Sequence, residues 1–489
     1  MSKKIIQAQL FKDKRVAVVG LGKSGLAVIE TLAKHTQAIV GAFDAHEEAL
    51  ESVCASCVVV KESAEGDTLL AQQVMEFDPD IIVAAPGISE HAPLYALARG
   101  KGVEIISEIE LAWRLRACDS KDKCAPWICI TGTNGKTTVT SLTALILKEA
   151  GLTNEPIGNI GTPAITEITR TDDKAAQAFV LELSSFQLAS TRSVSPWASV
   201  CLNFDDDHLE WHGNQQQYWN AKAKVYEHVQ HACIYPTGNS VVQEMVDCAD
   251  VVEGARAVGV TVGVPSVGEI GVIEDLIIDR AFGENRFREA VEICQLSDLS
   301  HLYAGDEIPY HVLYNVLVAC SLARSLQIDP SIIRRAISKF SLGHHRIEHI
   351  DTVNEIHFVD DSKATNAHAA LASVRSFRDR SVVWIVGGLA KGARFEKLVH
   401  ECVYKLKSVV VIGTEQDVWK DAFKGHDVPV TYISSQHDNV MDEAVSCAYN
   451  SADSGDVVLL APACASMDQF VSYADRGDKF AQAVRGLHE

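Results

Sequence analysis

Long apolar runs are missing from this chain of 489 residues. No stretch approaches the ~20 consecutive apolar residues that a membrane-spanning helix needs. The segment that precedes Val16 is polar and lacks the apolar core of a signal peptide. We therefore expect a cytoplasmic protein without a membrane partner.

Basic residues are in short supply. The chain has 44 Lys and Arg against 65 Asp and Glu, which gives a formal net charge of −21. Such an acidic field repels nucleic-acid phosphates and anionic lipid headgroups, which argues against a general binder of either. A small polyanion is still compatible with this charge, because one pocket can be rich in donors while the whole surface is acidic.

The 13 cysteines are odd in number and follow no repeating spacing. This pattern predicts free thiols in a reducing compartment rather than a disulfide framework. Cys54 and Cys57 form a single CxxC pair, but neither a second pair nor a nearby histidine completes a zinc site. We interpret that pair as structural.

Runs rich in β-branched residues alternate with helical patterns along the chain, which predicts parallel sheets with crossover helices. Two breaks divide this pattern: a linker-like stretch at 117–126 and a turn at 342–344. We predict an α/β fold of three domains. They are an N-terminal Rossmann-like domain over 1–120, a central P-loop ATPase-like domain over 121–341 and a C-terminal Rossmann-like domain over 342–489.

The strongest motif is a glycine-rich turn between a strand predicted over 127–131 and a helix predicted to run to Lys148. Backbone N–H groups of such a turn, with the helix N-terminus behind them, bind phosphates. In a site of this type the lysine reaches the β- and γ-phosphates, and the next hydroxyl binds Mg²⁺. The loop residues that we predict to bind nucleotide are Gly132, Thr133, Asn134, Gly135, Lys136, Thr137 and Thr138.

Nucleotide chemistry also needs acidic metal ligands, and two candidates follow predicted strands. Glu182 lies in the strand predicted over 178–183, and the segment 205–208 follows the strand predicted over 198–203. Carboxylates at the carboxyl ends of parallel strands face the ligand crevice and suit Mg²⁺. A solvated acidic turn is the alternative interpretation of 205–207. Lys222 falls in a helix predicted over 218–229, where its position alone indicates a surface lysine.

A second glycine motif, GxGxxG at 20–25, follows the first predicted strand, and Asp44 ends the next one. Taken alone, this pattern indicates dinucleotide binding and leaves a nicotinamide-dependent oxidoreductase open. The same loop geometry holds any diphosphate, however, and no hydride-transfer site accompanies it. A nucleotide-sugar site here and an ATP site in the central domain is the simpler interpretation. A non-catalytic nucleotide-binding module is a third hypothesis.

The C-terminal domain carries four polar or glycine-rich motifs, at 343–346, 360–366, 387–392 and 461–470. Lys and Arg in loops after strands suit contacts with carboxylates or phosphates. We therefore expect a site for a small acidic substrate at one edge of this sheet.

Together these segments resemble the Mur ligases over essentially the whole chain. The motifs at 131–137 and 182–187 are shared with several ligases of this superfamily, including folylpolyglutamate synthetases, whereas those at 361–366 and 462–470 resemble the D-glutamate-adding branch. The resemblance implies an ATP-dependent amide ligase that adds D-glutamate to UDP-N-acetylmuramoyl-L-alanine in peptidoglycan precursor synthesis. It further implies an acyl-phosphate intermediate, two Mg²⁺ ions and a monomer. A related ligase with another amino acid substrate is the alternative.

The resemblance also implies roles for individual residues. The implied catalytic residues are Lys136, Glu182, His208 and Lys222. The implied metal ligands are Thr137, Glu182, His208 and Lys222 as its carbamate. Contacts with adenine, phosphate and ribose are implied for Asn315, Arg346 and Asp361 respectively. The implied UDP-sugar residues are Gly22, Lys23, Ser24, Gly25, Asp44, Pro86, Gly87 and Asn159. The implied D-glutamate residues are Lys363, Thr365, Lys391, Ser466 and Tyr473.

Overall fold

The computed structural model describes residues 5–121, 123–205, 207–303, 308–434 and 439–488. The chain divides into two compact units, one formed by 1–295 with 315–337 and the other by 296–314 with 338–489. Two large sheets lie in the first unit and one in the second. Across the described ranges, no helix is both long enough and apolar enough to cross a bilayer.

The N-terminal part of the first unit is a doubly wound sheet. Its strands are β1 (Ile5–Ile6), β2 (Arg15–Val19), β3 (Ile39–Asp44), β4 (Val60–Ser63), β5 (Ile81–Ala84), β6 (Glu104–Ile106) and β7 (Ala117–Cys118). Its helices are α1 (Lys23–His35), α2 (Glu47–Glu51), α3 (Asp67–Glu76), α4 (Pro93–Lys101) and α5 (Glu108–Leu115). The parallel order is β4-β3-β2-β5-β6, and β1 pairs separately with β7. The chain direction across the sheet reverses between β2 and β5, and doubly wound sheets bind ligands at the carboxyl ends of the strands at such a point.

The central part of the first unit is a nine-stranded sheet. Its strands are β8 (Trp127–Thr131), β9 (Pro156–Gly158), β10 (Phe179–Glu182), β11 (Ala198–Cys201), β12 (Ala232–Pro236), β13 (Arg256–Val260), β14 (Glu269–Ile273), β15 (Leu276–Asp279) and β16 (Val291–Gln295). Its helices are α6 (Lys136–Glu149), α7 (Ala164–Ile168), α8 (Ser185–Ala189), α9 (Leu209–His212), α10 (Gln215–Ala223), α11 (Ser240–Asp247), α12 (Tyr310–Ser325) and α13 (Pro330–Ile337). Helix α12 belongs to this unit from Asn315 onward, and its first turn is counted with the second unit. The order is β16-β15-β14-β13-β12-β11-β8-β10-β9, with β10 and β11 parallel to β8 on its two sides. The segments that follow these three strands therefore meet at one edge.

These two sheets of the first unit share a hydrophobic core. Val16 and Val18 of the N-terminal sheet belong to the same buried cluster as Leu181 of the central sheet. The indole of Trp113 packs edge-to-face on that of Trp127, with the ring centroids 4.9 Å apart. Apolar burial of this kind is the main favourable contribution to folding, so the two glycine loops stand on one packed scaffold.

The second unit contains a six-stranded sheet. Its strands are β17 (Glu348–Val353), β18 (Ile356–Asp360), β19 (Val382–Gly387), β20 (Leu406–Ile412), β21 (Val430–Tyr432) and β22 (Val457–Leu460). Its helices are α14 (Ala367–Arg375), α15 (Glu396–Cys402), α16 (Asp417–Ala422), α17 (Val440–Asn450) and α18 (Tyr473–Gly486). The order is β17-β18-β22-β19-β20-β21, with only β17 antiparallel to its neighbour. The loops after β18, β22 and β19 therefore lie side by side.

The predicted α/β fold is confirmed, and one large sheet lies in each of the three predicted domains. The exact domain limits at 120/121 and 341/342 stay predictions.

The helix predicted over 218–229 is wrong in its second half, because α10 ends at Ala223 and a 3₁₀ turn follows over Lys224–Tyr226. The buried hydroxyl of Tyr226 donates to the Ile234 carbonyl and accepts from the Cys201 N–H, at 2.7 and 2.8 Å. These contacts with neighbouring strands override the local helical pattern.

The expectation that every thiol is free is wrong for one pair, because Cys118 and Cys124 form a disulfide. The carboxylate of Asp119 accepts hydrogen bonds from the N–H groups of Lys121 and Lys123, at 2.8 and 3.0 Å. The resulting tight turn brings the two cysteines opposite each other within the predicted linker. Cys54 and Cys57, the CxxC pair, are not part of a disulfide.

Candidate active site

The glycine loop after β8 takes a shape that only glycine permits at two positions. Gly132 and Gly135 have φ angles of +148° and +84°. A Cβ added at Gly135 would lie 2.7 Å from the side-chain oxygen of Asn315, and one at Gly132 would lie 2.9 Å from the Cβ of Leu202. The loop is thus packed from behind, and Asn315 lies directly against it.

Lys136 begins α6, and its ammonium group binds the loop itself. Its Nζ donates to the carbonyl oxygens of Gly132 and Thr133, at 2.7 and 3.0 Å. The N–H groups of Thr133 and Asn134 donate in turn to Oδ1 of Asn203, at 2.9 and 2.8 Å. Thr137 and Thr138 follow in the first turn of α6, where the helix dipole favours an anion. Asn203 was not predicted as a site residue, although a polar residue just after a strand beside the loop is a usable signal.

Glu182 ends β10 next to this loop. Its side chain is buried, and its Oε1 accepts a hydrogen bond from the Asn159 amide at 2.9 Å. The other oxygen, Oε2, is buried without a hydrogen-bond partner in the part of the chain that the structure describes. A buried carboxylate oxygen without a partner is costly, and a divalent cation is a suitable partner for it. The residues present therefore fit a magnesium ion.

Lys222 is buried rather than on the surface, so the position expected from the helical pattern alone is wrong. Only 2% of the residue is exposed, and its Nζ lies 5.0 Å from the centroid of the Tyr218 ring. Burial, with a smaller contribution from the charge of Lys136, lowers the pKa of Lys222 to about 7. A neutral amine is the form of lysine that reacts with carbon dioxide, so this environment suits carbamate formation.

His208 precedes α9 with a φ of +53°, and 49% of its side chain is exposed. Its ring centroid lies 4.8 Å from that of Phe186, four residues after Glu182. Burial lowers the pKa of His208, and the charges of Lys222 and Lys136 lower it further, against the opposing charge of Asp207. A neutral imidazole is the form that binds metal ions. Of the predicted acidic turn, Asp206 lies outside the described residues.

The GxGxxG loop after β2 is packed as closely against its neighbours as the glycine loop after β8. Gly20 has a φ of +88°, and a Cβ there would lie 2.5 Å from that of Ala85, just before Pro86 and Gly87. Asp44 accepts the Leu21 N–H on Oδ2 at 2.6 Å and the His46 N–H on Oδ1 at 2.9 Å. Gly22, Lys23, Ser24 and Gly25 form the N-terminus of α1. The structure thus shows Asp44 shaping the loop, and its contact with a ligand stays a prediction.

In the second unit, three loops that carry the predicted D-glutamate residues are joined to one another. The N–H of Ala463 donates to the Ala364 carbonyl, and that of Leu389 to the Ala465 carbonyl, both at 2.9 Å. The Nζ of Lys363 lies 3.7 Å from the centroid of the Tyr473 ring. Thr365 and Ser466 belong to the joined loops, while Lys391 is exposed with a φ of +53°.

Arg476, which was not predicted as a site residue, joins two of these loops. It is fully buried, and its guanidinium donates to Oγ and the carbonyl of Ser362, both at 3.0 Å, and to the Cys464 carbonyl at 3.2 Å. Ser362 Oγ donates to the Tyr473 carbonyl at 2.8 Å. No local signal could have found Arg476, because an arginine in an amphipathic helix normally faces solvent.

Asp361 follows β18 and is buried. Burial raises its pKa to about 7, although the charge of Arg346 acts in the opposite direction. The two residues that the resemblance assigns to ribose and phosphate therefore lie within electrostatic reach of each other. Their contact with a nucleotide stays a prediction.

Solved structures of low sequence identity share this fold. A pseudomurein peptide ligase type C from Methanothermus fervidus is 16% identical with a TM-score of 0.55, covering 97% of this chain and 100% of that one. The MurF ligase from Thermotoga maritima, solved in complex with ADP, is 15% identical with a TM-score of 0.54, covering 99% of each chain.

Family models and relatives of higher sequence identity identify the family of this chain. Three family models match: "Mur ligase MurD-like, N-terminal domain" over 14–107, "Mur ligase middle domain" over 130–323 and "Mur ligase, glutamate ligase domain" over 345–464. A UDP-N-acetylmuramoylalanine--D-glutamate ligase of Leifsonia xyli is 41% identical, covering 96% of this chain and 92% of the relative. The enzyme of that name from Streptomyces coelicolor is 39% identical, covering 98% and 99%. The chain therefore belongs to the Mur ligase family.

Proposed function

We propose that this chain joins the carboxyl group of UDP-N-acetylmuramoyl-L-alanine to the amino group of D-glutamate, at the expense of ATP, in peptidoglycan precursor synthesis. The observation that carries the proposal is the near-full-length match to relatives of that name, at 41% and 39% identity. The grouping of Lys136, Glu182, His208 and Lys222 at the carboxyl edge of one sheet supports it. Because ATP and UDP-linked precursors are cytoplasmic metabolites, we place the reaction in the cytoplasm, and we propose a monomer.

The nucleotide half of the site is the loop 132–138 with the N-terminus of α6. The Lys136 ammonium, now held by two carbonyls of the loop, would turn to the β- and γ-phosphates of ATP. Asn315, against Gly135, would contact the adenine, while Arg346 and Asp361 would contact phosphate and ribose.

Two metal positions complete this half. Thr137 and Glu182 would hold a first magnesium ion, and His208 with the Lys222 carbamate would hold a second, Glu182 being shared. Bound there, the ions would supply positive charge that offsets the phosphate oxygens as the γ-phosphoryl group is transferred. Glu182 contributes its unpartnered Oε2, and Lys222 contributes a carboxylate-like group once it has reacted with carbon dioxide.

The reaction then proceeds in two displacements. An oxygen of the substrate carboxylate attacks the γ-phosphorus, ADP leaves, and an acyl phosphate forms. The neutral amine of D-glutamate attacks the acyl carbon, the C–O bond breaks with its electron pair leaving on inorganic phosphate, and the nitrogen releases a proton to solvent as the amide forms. Lys136 stays close to the transferred phosphoryl oxygens and stabilises their charge in both transition states.

The remaining residues would bind the two substrates. The glycine turn 22–25, Asp44, Pro86, Gly87 and Asn159 would hold the UDP-sugar. D-Glutamate carries two carboxylates, so the cations Lys363 and Lys391 would offset its charge. Thr365, Ser466 and Tyr473 would supply hydrogen bonds and a ring surface to the same pocket.

An amino-acid panel tests this function. Release of phosphate from ATP should require UDP-N-acetylmuramoyl-L-alanine and D-glutamate together, and Lys136→Ala should abolish it while the protein remains folded by circular dichroism. Release that depends on L-lysine but not on D-glutamate would reject the substrate assignment. A folded wild-type protein with no release on any amino acid would instead favour a non-catalytic module.

A further inference from the structure

The short segment that carries His208 is bound by the loop that follows β5. The indole N–H of Trp211 donates to the Pro86 carbonyl at 3.1 Å, and the hydroxyl of Ser89 donates to the Trp211 carbonyl at 2.7 Å. The Nε2 of His91 lies 3.0 Å from the His212 carbonyl oxygen. Three polar contacts therefore join the segment 208–212 to the loop 86–91.

The same segment also packs on Phe186. The Phe186 ring centroid lies 4.8 Å from that of His208 and 4.7 Å from that of Trp211. Next to it, Ser185 Oγ lies 2.9 Å from Nε2 of His212. Because Ser185 and Phe186 follow Glu182 closely in the chain, the segment bridges the Glu182 strand and the Pro86 loop.

The segment cannot hold its shape alone. Helix α9 has only four residues, fewer than an isolated helix needs in water, and His208 has a φ of +53° in the left-handed region. The packing is also close, because a Cβ at Gly213 would lie 2.5 Å from the His91 ring. The position of the His208 ring is therefore set by the two surfaces that clamp the segment.

We propose that Trp211 is a positioning residue that couples binding of the UDP-sugar to binding of magnesium. This inference rests on the proposed function, in which Pro86 and Gly87 contact the UDP-sugar and His208 binds a metal ion. A ligand that fixes the loop 86–91 also fixes Trp211, and through it the geometry of His208. Linkage requires the effect to be reciprocal, so each ligand tightens the other's binding by the same factor.

Calorimetric titration of the full-length chain with UDP-N-acetylmuramoyl-L-alanine, with and without Mg²⁺ and with bicarbonate present, tests the coupling. In the wild type, Mg²⁺ should lower the Kd of the UDP-sugar by about 5-fold or more, the lower end of typical coupling. Trp211→Phe keeps the ring on Phe186 but removes the N–H donor, and should reduce that effect to less than about 2-fold. Ser89→Ala, which removes an independent contact with the same segment, should act in the same direction.

Trp197→Phe is the matched control. It also removes one indole N–H, which donates to the Ser325 carbonyl at 3.0 Å. Trp197 lies just before β11, whereas the segment 208–212 follows that strand, so the two lie towards opposite ends of it. Coupling should survive in this variant. Wild-type coupling retained in both Trp211→Phe and Ser89→Ala would overturn the inference, as would a wild type that binds both ligands independently. A wild type that does not bind the UDP-sugar at all would instead count against the proposed function.

Discussion

At the scale of single residues, the environment of Lys222 is the most telling. A lysine that is 2% exposed and has a pKa of about 7 has a substantial fraction of neutral amine at physiological pH, whereas a surface lysine is almost wholly protonated. Stability alone does not account for this burial, because an alkyl side chain of the same size would avoid the cost of burying an amine.

Lys222→Ala should lower turnover by at least about 100-fold, as expected when a metal-charge contribution is removed from phosphoryl transfer. Acetate should restore part of the activity, because it supplies a free carboxylate to the vacated space. The measurement is ADP release with and without acetate, and propionamide, which has no charge, serves as the control. Full activity of the alanine variant would show that the lysine has no part in the reaction.

Glu108 is a second buried residue with a shifted pKa. Its Oε1 accepts the Ile165 N–H at 2.6 Å, its Oε2 is buried without a partner in the described chain, and burial raises its pKa from 4.5 to about 7. The folded state therefore binds more protons than the unfolded state between these values. Stability contributed by the protonated carboxyl is present below pH 4.5 and is lost as the pH rises through 7.

Glu108→Gln keeps an oxygen that can accept from Ile165 and removes the titration. At pH 8 the variant should exceed the wild type in free energy of unfolding by up to ~3 kcal/mol, and the difference should shrink towards pH 5. Urea unfolding at a series of pH values measures it. Parallel curves for the two proteins would mean that the buried carboxyl ionises without cost.

At the scale of elements, α5 ties the N-terminal sheet to the central one through Glu110. This fully buried carboxylate accepts the N–H groups of Arg192 and Ser193 at 2.8 and 2.9 Å, and the Ser193 hydroxyl at 2.5 Å. It also accepts a hydrogen bond from Nε of Arg114 at 2.8 Å. The loop that it holds follows α8, the helix directly after Glu182.

Glu110→Ala should lower the free energy of unfolding by about 3 kcal/mol, because it removes a buried acceptor and leaves four partly buried donors without their partner. Glu104→Ala is the comparison: Glu104 also pairs with Arg114, at 2.7 Å, but 28% of its side chain is exposed. That change should cost about 1 kcal/mol or less. Chemical denaturation of both variants measures these free energies of unfolding. An equal decrease in the two variants would contradict the prediction that Glu110 contributes more than Glu104.

The elements also show what the sequence could and could not predict. Strands such as β8 and β10 were predictable because short, mostly apolar runs are buried on both faces, and the loop after β8 followed from turn chemistry. The end of α10 was not, since the Tyr226 hydroxyl bonds to strands distant in sequence. The burial of Arg476 and Glu110 could not be predicted for the same reason, because a charged residue is expected to face solvent until its partners in the fold are known. Lys222 was found through the resemblance to a family and not through its helix.

At the scale of the whole molecule, a disulfide lies between the first two family-matched regions, in the stretch 118–124. It closes a short loop, so its effect on the unfolded chain is small. Replacing Cys118 and Cys124 together by serine should lower the free energy of unfolding by about 2 kcal/mol. Dithiothreitol should have the same effect on the wild type and none on the double variant. A wild type that is unaffected by the reductant would show that the bond contributes nothing.

The ammonium of Lys136 already sits on two carbonyl oxygens of its own loop. For inhibitor discovery, this means that a neutral adenine mimic gains nothing from that cation, which keeps its internal bonds. Only a compound with an anionic or strongly accepting group at the phosphate position can compete for it. A screen of fragments without such groups will therefore find few binders of this loop, even though the loop can bind an anionic compound.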